Sequence, residues 1–142
     1  MENQLKKKYE EIEQLSQHIQ HLENQLKEIS EKRESVKGMS KTVSDLSHIK
    51  KDDIILAPVA DGVFIEVKVA DPEKVFMNVG AGCVVKYPKS DAEKMVKDQE
   101  RSIEESYEQI STMLENLRMQ IMLSQQNAQE LLQRYEKGEE DV

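Results

Sequence analysis

Residues 74–87 read KVFMNVGAGCVVKY. Two short apolar runs flank Gly80-Ala81-Gly82, in a chain otherwise dominated by Glu, Lys, Gln and Ser. A glycine-rich loop after a strand either cradles a phosphate or turns a hairpin. A dinucleotide fingerprint needs a third Gly and a helix N-terminus to receive the pyrophosphate. Here the third Gly is missing and another strand-like run follows, so the hairpin is the better reading. No GKS or GKT occurs anywhere, which excludes a Walker A loop, and no cofactor is implied.

Upstream, the period is again that of strands. Ile54-Ile55-Leu56-Ala57-Pro58-Val59 leads into Ala60-Asp61-Gly62, after which Val63, Ile65 and Val67 alternate with Phe64, Glu66 and Lys68. Asp71-Pro72-Glu73 makes a turn. Val75, Met77 and Val79 then alternate with Phe76 and Asn78, and Cys83, Val85 and Tyr87 with Val84 and Lys86. The pattern predicts four short strands in two hairpins, with turns at Gly62, Gly80 and Gly82.

Outward from this segment the period changes to that of a coiled coil. With Leu5 at position a, the a series is Leu5, Ile12, Ile19, Leu26, Arg33 and Ser40, and the d series is Lys8, Leu15, Leu22, Ile29, Val36 and Val43. A helix packed on a globule would need a wider apolar stripe. After Pro88, Ser90 and Glu93 have the spacing of a capping box. The second seam runs Val96, Ile103, Tyr107, Ile110, Leu114, Leu117, Ile121, Ser124, Ala128, Leu131 and Tyr135, and Gly138 ends it. Each helix covers roughly 45 residues, or about 65–70 Å. Matched arms around a compact middle segment fold back antiparallel. Layers pair Ile19 with Ile121, Leu22 with Leu117 and Leu26 with Leu114, and both termini fall at one tip.

The expected fold is therefore α+β: a long antiparallel two-helix coiled coil joined by two β-hairpins. Residues 1–50 form the N-terminal helix, 51–89 the hairpin segment, 90–137 the C-terminal helix, and 138–142 an acidic tail.

A segment of some 35 residues cannot bury a self-sufficient core, since domains below about 40 residues usually need outside help. Open sheet edges also want a partner. Phe64, Phe76 and Val84 make the second faces apolar as well. Other subunits are expected to complete an assembly hub formed by Ile54, Leu56, Val63, Phe64, Ile65, Val67, Val75, Phe76, Met77, Val79, Val84 and Val85.

Composition narrows the function classes. Charged residues make up 34% and the net charge is −8, concentrated in the last third, which carries −7. That argues against a nucleic-acid footprint. No apolar run approaches the ~20 residues of a membrane span, and MENQLKKKYEEIEQL lacks the apolar core of a secretory signal. A single cysteine permits no intrachain disulfide and fits a reducing compartment, so a cytoplasmic address is expected. Cys83, among apolar neighbours, reads as a buried structural thiol. His18 and His21 lie three apart on a helix but lack a third metal ligand and read as a surface pair. No catalytic constellation stands out.

Helix, two hairpins and helix together resemble prefoldin, and two hairpins rather than one resemble its alpha-class subunits. Alpha subunits show Pro-x-Gly-x-Gly after the first strand and Val-Gly-x-Gly in the second hairpin. Pro58 and Gly62 match the first motif, with Ala60 in place of its first Gly, and Val79, Gly80 and Gly82 match the second. The resemblance implies an ATP-independent cytosolic chaperone of archaea or eukaryotes, and a generic alpha-class subunit suggests an archaeon. It implies a hetero-hexamer of two alpha and four beta subunits, with the two alpha subunits in contact at a β-barrel hub. Coiled-coil tips would hold unfolded clients and pass them to a group II chaperonin.

The residues that would meet clients are Leu5, Tyr9, Leu131, Leu132 and Tyr135, where helix ends fray and packing partners run out. Ile12 is expected to finish the coiled-coil core instead. The alternative is a structural scaffold or filament subunit that binds no client. A polymerase-binding coiled-coil factor is disfavoured because its working tip is an interhelical loop, where this chain has strands. A secreted helical-hairpin adaptor would need the missing signal peptide.

Overall fold

The computed structural model describes residues 2–138; the acidic tail beyond Gly138 lies outside the described residues. The elements are helix α1 (Glu2–Asp45), a 3-10 turn (Leu46–His48), strands β1 (Ile54–Ala60), β2 (Val63–Lys68), β3 (Lys74–Asn78) and β4 (Val84–Pro88), and helix α2 (Lys89–Glu136). They divide into two compact units, Met1–Glu31 with Glu104–Val142, and Lys32–Ile103.

The first unit is a pair of antiparallel helices. Ser124 Oγ donates to Glu11 Oε1 at 3.5 Å and Arg118 Nη2 donates to Glu23 Oε1 at 3.1 Å, so the chain numbers run in opposite directions across the pair. The apolar repeat explains the packing. Leu5, Lys8, Ile12, Leu15, Ile19, Leu22, Leu26 and Ile29 are all buried or half-buried, as are Tyr107, Ile110, Leu114, Leu117, Ile121, Ser124, Ala128 and Leu131. Leu114 is the most deeply buried large side chain of this unit, at 1% exposure. Tyr135, expected in the seam, is instead exposed. It is the last seam position before α2 ends at Glu136, so no further turn covers its ring.

In the second unit the heptad positions Arg33, Val36, Ser40 and Val43 on α1 remain covered, with Ala92, Val96 and Ile103 on α2. Ser40, Val43, Ser44 and Ser47 border an open cleft of about 330 Å³ with Glu93, Val96 and Lys97. Gly38 adds no side chain, and Thr42 Oγ1 donates back to the Gly38 carbonyl at 2.9 Å. Glu100, half-buried between Val96 and Ile103, has its Oε1 buried without a hydrogen-bond partner.

The strands form two separate antiparallel sheets, β1–β2 and β3–β4. Lys50 N–H donates to Asp53 Oδ2 at 2.8 Å, closing the turn that feeds β1. Ala60 pairs with Val63 across Asp61-Gly62, and the register slips between Pro58 and Ala60. Gly62 at φ 78° supplies the left-handed residue that such a bulged hairpin needs. In the second hairpin Cys83 N–H donates to the Gly80 carbonyl and Val79 N–H to the Cys83 carbonyl, both at 2.9 Å. Asn78 Oδ1 accepts from Gly80 N–H at 3.0 Å. Gly80-Ala81-Gly82 is thus spent on turning the chain, with φ values of 110°, 52° and 73°.

Two local expectations change. Helix α2 begins at Lys89, so Ser90 already lies in its first turn and is no N-cap. The cause is the sheet: Lys89 N–H donates to the Glu73 carbonyl at 2.8 Å, so strand pairing runs straight into the helix. Cys83 is exposed rather than buried, because it sits at the exit of the turn, just before β4.

Candidate functional site

Two surfaces stand out, and each follows from a local break in the pattern that builds the fold. The first is the pair of hairpins. Opposed residues share a face, so Ile55, Ala57, Ile65 and Val67 line one side of β1–β2, and Ile54, Leu56, Pro58 and Phe64 line the other with Glu66 and Lys68. Ile54, Leu56, Val63, Phe64 and Ile65 are exposed. In β3–β4, Val75, Met77, Val85 and Tyr87 share a half-buried face, while Phe76 and Val84 stand on the opposite one. Phe76 is 69% exposed, and the ammonium of Lys86 lies 5.7 Å from its ring centre. Val79 lies just beyond β3 and is exposed too. Two-stranded sheets are marginal in water by themselves. Apolar surface left bare on both faces marks a site of association.

The second surface lies in the helix-pair unit. Of the residues expected at its tip, Tyr9 is 50% and Tyr135 51% exposed, while Leu5, Leu131 and Leu132 are half-buried. The structure brings Tyr9 and Leu132 together. They line an open groove of about 480 Å³ with Ile12, Met122, Ala128 and Gln125, Gln126 and Gln129. The glutamines and Met122 were not singled out by the seam pattern. The signal that marks them is the run Met119–Gln129, eleven residues without a charge.

Elsewhere the chemistry is plain. His21 Nε2 lies 3.2 Å from the Gln25 amide nitrogen on the helix surface. Among the described residues no group of three His, Cys, Asp or Glu side chains is placed to hold a metal ion, and no helix is long and apolar enough to cross a membrane.

Comparison with known proteins places the chain in a family. The family model described as Prefoldin subunit matches residues 15–134. A prefoldin subunit alpha from Methanoregula boonei is 32% identical over 88 residues, covering 62% of this chain and 53% of the relative. Another, from Methanococcus aeolicus, is 32% identical over 106 residues, covering 74% and 69%. The chain thus spans about half the length of the first and just over two thirds of the second. Among solved structures, a chain of the filamentous PFD from Methanocaldococcus jannaschii superposes with a TM-score of 0.68 at 18% identity, over 80% of this chain and 94% of that one. That likeness speaks for the fold. Matched over most of its length by the family's model and related to subunits named alpha, this chain belongs to the prefoldin family, in its alpha class.

Proposed function

We propose that the chain is a subunit of an ATP-independent holding chaperone of the cytoplasm. Its hairpins join a second alpha subunit and beta-class subunits, two alpha and four beta in all. Its helix ends hold unfolded polypeptides for transfer to a group II chaperonin. The observation that carries the reading is the apolar surface at the free ends of the helices: Tyr9 and Tyr135 are half exposed although water disfavours it. The bare faces of the hairpins support the assembly half of the proposal, because subunits that cover them remove apolar area from water.

A direct test is aggregation of a chemically denatured client on dilution, with and without the assembled full-length protein. The assembly is expected to suppress light scattering without nucleotide. Leu5→Ser with Tyr135→Ser is expected to weaken that protection while leaving the oligomer intact. No suppression by the wild-type assembly would defeat the holding reading.

One observation favours a second reading. The solved neighbour is a filamentous prefoldin, so a structural or filament subunit built from the same hairpins is the alternative. Elongated particles in electron micrographs, together with no protection of clients, would favour it.

A further inference from the structure

The groove beside Tyr9 follows from what the helix flank lacks. Positions next to a coiled-coil seam ordinarily carry Glu and Lys, which pair across it. Glu23 and Arg118 do so here, at 3.1 Å. One heptad on in the same register, Ser16 stands opposite Gln125, and one further, Tyr9 stands opposite Leu132. On this flank the charge pairing stops where the groove begins. None of the eight residues around the groove is charged, in a chain that is 34% charged. Ala128, 4% exposed, keeps the seam narrow and lets the floor sink between the helices.

Resting on the holding-chaperone reading above, we infer that this lateral groove, rather than the frayed helix ends alone, seats an extended, uncharged segment of an unfolded polypeptide. The glutamine amides bond its backbone, and Tyr9, Met122 and Leu132 cover its apolar side chains. Three physical matches select this occupant. A carboxamide offers a donor and an acceptor together, the same complement as a peptide group. Gln125 and Gln129 are one helical turn apart, about 6 Å along the axis, close to the about 6.8 Å between peptide groups facing one way on an extended chain. Methionine adapts its shape to unlike side chains, as a site for many sequences requires. A second helix docking here would have its backbone groups already bonded internally and would leave the glutamines unused. A charged segment would lose water and gain no opposite charge.

The test uses the assembled full-length protein and a fluorescein-labelled peptide of alternating Leu and Ser. Two further peptides carry N-methyl groups on alternate amides, or Glu in place of Ser. The unmodified peptide is expected to bind, and both altered peptides to bind at least tenfold more weakly. Gln125→Ala with Gln129→Ala, both exposed positions, is expected to weaken the unmodified peptide roughly tenfold, for two lost hydrogen bonds. Leu123→Ala, an exposed position that does not line the groove, is expected to leave this short peptide's affinity unchanged.

Equal binding of the N-methylated peptide, or wild-type affinity in the glutamine variant, would overturn the groove. If that variant also protects a denatured client as well as the wild type, the holding reading survives the loss of the groove. If the glutamine variant changes the mass of the assembly rather than peptide affinity, the groove is a contact between subunits and the inference fails.

Discussion

Glu23 and Arg118 are 95 residues apart in sequence and 3.1 Å apart in space. Their bond fixes which residue of α1 lies opposite which residue of α2 on one flank of the helix pair. Both side chains are about half exposed, so the pair reports the register more than it stabilises it. A double-mutant cycle with Glu23→Ala and Arg118→Ala should give a coupling of about 0.2–1 kcal/mol. That coupling should shrink in 1 M salt, where the screening length falls to about 3 Å. Exchanging the two charges should restore the thermal midpoint lost in either single reversal.

Burial, not hydrophobicity alone, decides what a leucine of α2 contributes. Leu114 is enclosed in the seam, whereas Leu123, nine positions on, faces water. Leu114→Ala should cost about 2–5 kcal/mol. Leu123→Ala should stay within about 0.5 kcal/mol of wild type. Urea unfolding of the assembled protein measures both.

Two glycines should respond in opposite directions. Gly38 is in helical backbone with open space around a new Cβ, so Gly38→Ala should stabilise the protein by about 0.5–1 kcal/mol. Gly82 also has open space but holds φ at 73°, so Gly82→Ala should cost about 1–2 kcal/mol through the backbone alone. Thermal unfolding of the two variants side by side is the check.

Glu100 tests whether polarity in the seam is a cost. Its buried, unpartnered oxygen should destabilise the fold by about 1–3 kcal/mol. Glu100→Leu should therefore raise the thermal midpoint. A polar layer also specifies register, so hydrogen exchange in α1 should become less uniform in the same variant. A lower midpoint would show that the carboxylate contributes more than it costs.

What the sequence revealed depended on the range of the signal. The heptads from Leu5 to Val43 were legible because a repeating period fixes burial without any knowledge of the partner, and each of those positions is covered. The two hairpins were legible from strand alternation and from glycine at positive φ. Ser90 misled because the capping pattern is local, while the hydrogen bond from Lys89 to Glu73 that starts the helix early reaches the turn before β3, distant in sequence. Cys83 misled for a related reason. Its neighbours are apolar, yet the surface they form is not covered within one chain. Gln125 and Gln129 carried no signal singly, since glutamine is an ordinary residue on a helix surface. Only the cross-helix register that sets Tyr9 beside Leu132 makes the uncharged run a groove.

As a proposed hub, the hairpins need other subunits to cover their apolar faces. Native mass spectrometry tests this most directly, on the full-length chain alone and mixed with a beta-class prefoldin subunit at micromolar concentration. An oligomer is expected in the mixture, with two copies of this chain and four of the partner. A stable monomer of this chain in both samples, with Phe64 and Phe76 left in water, would contradict it.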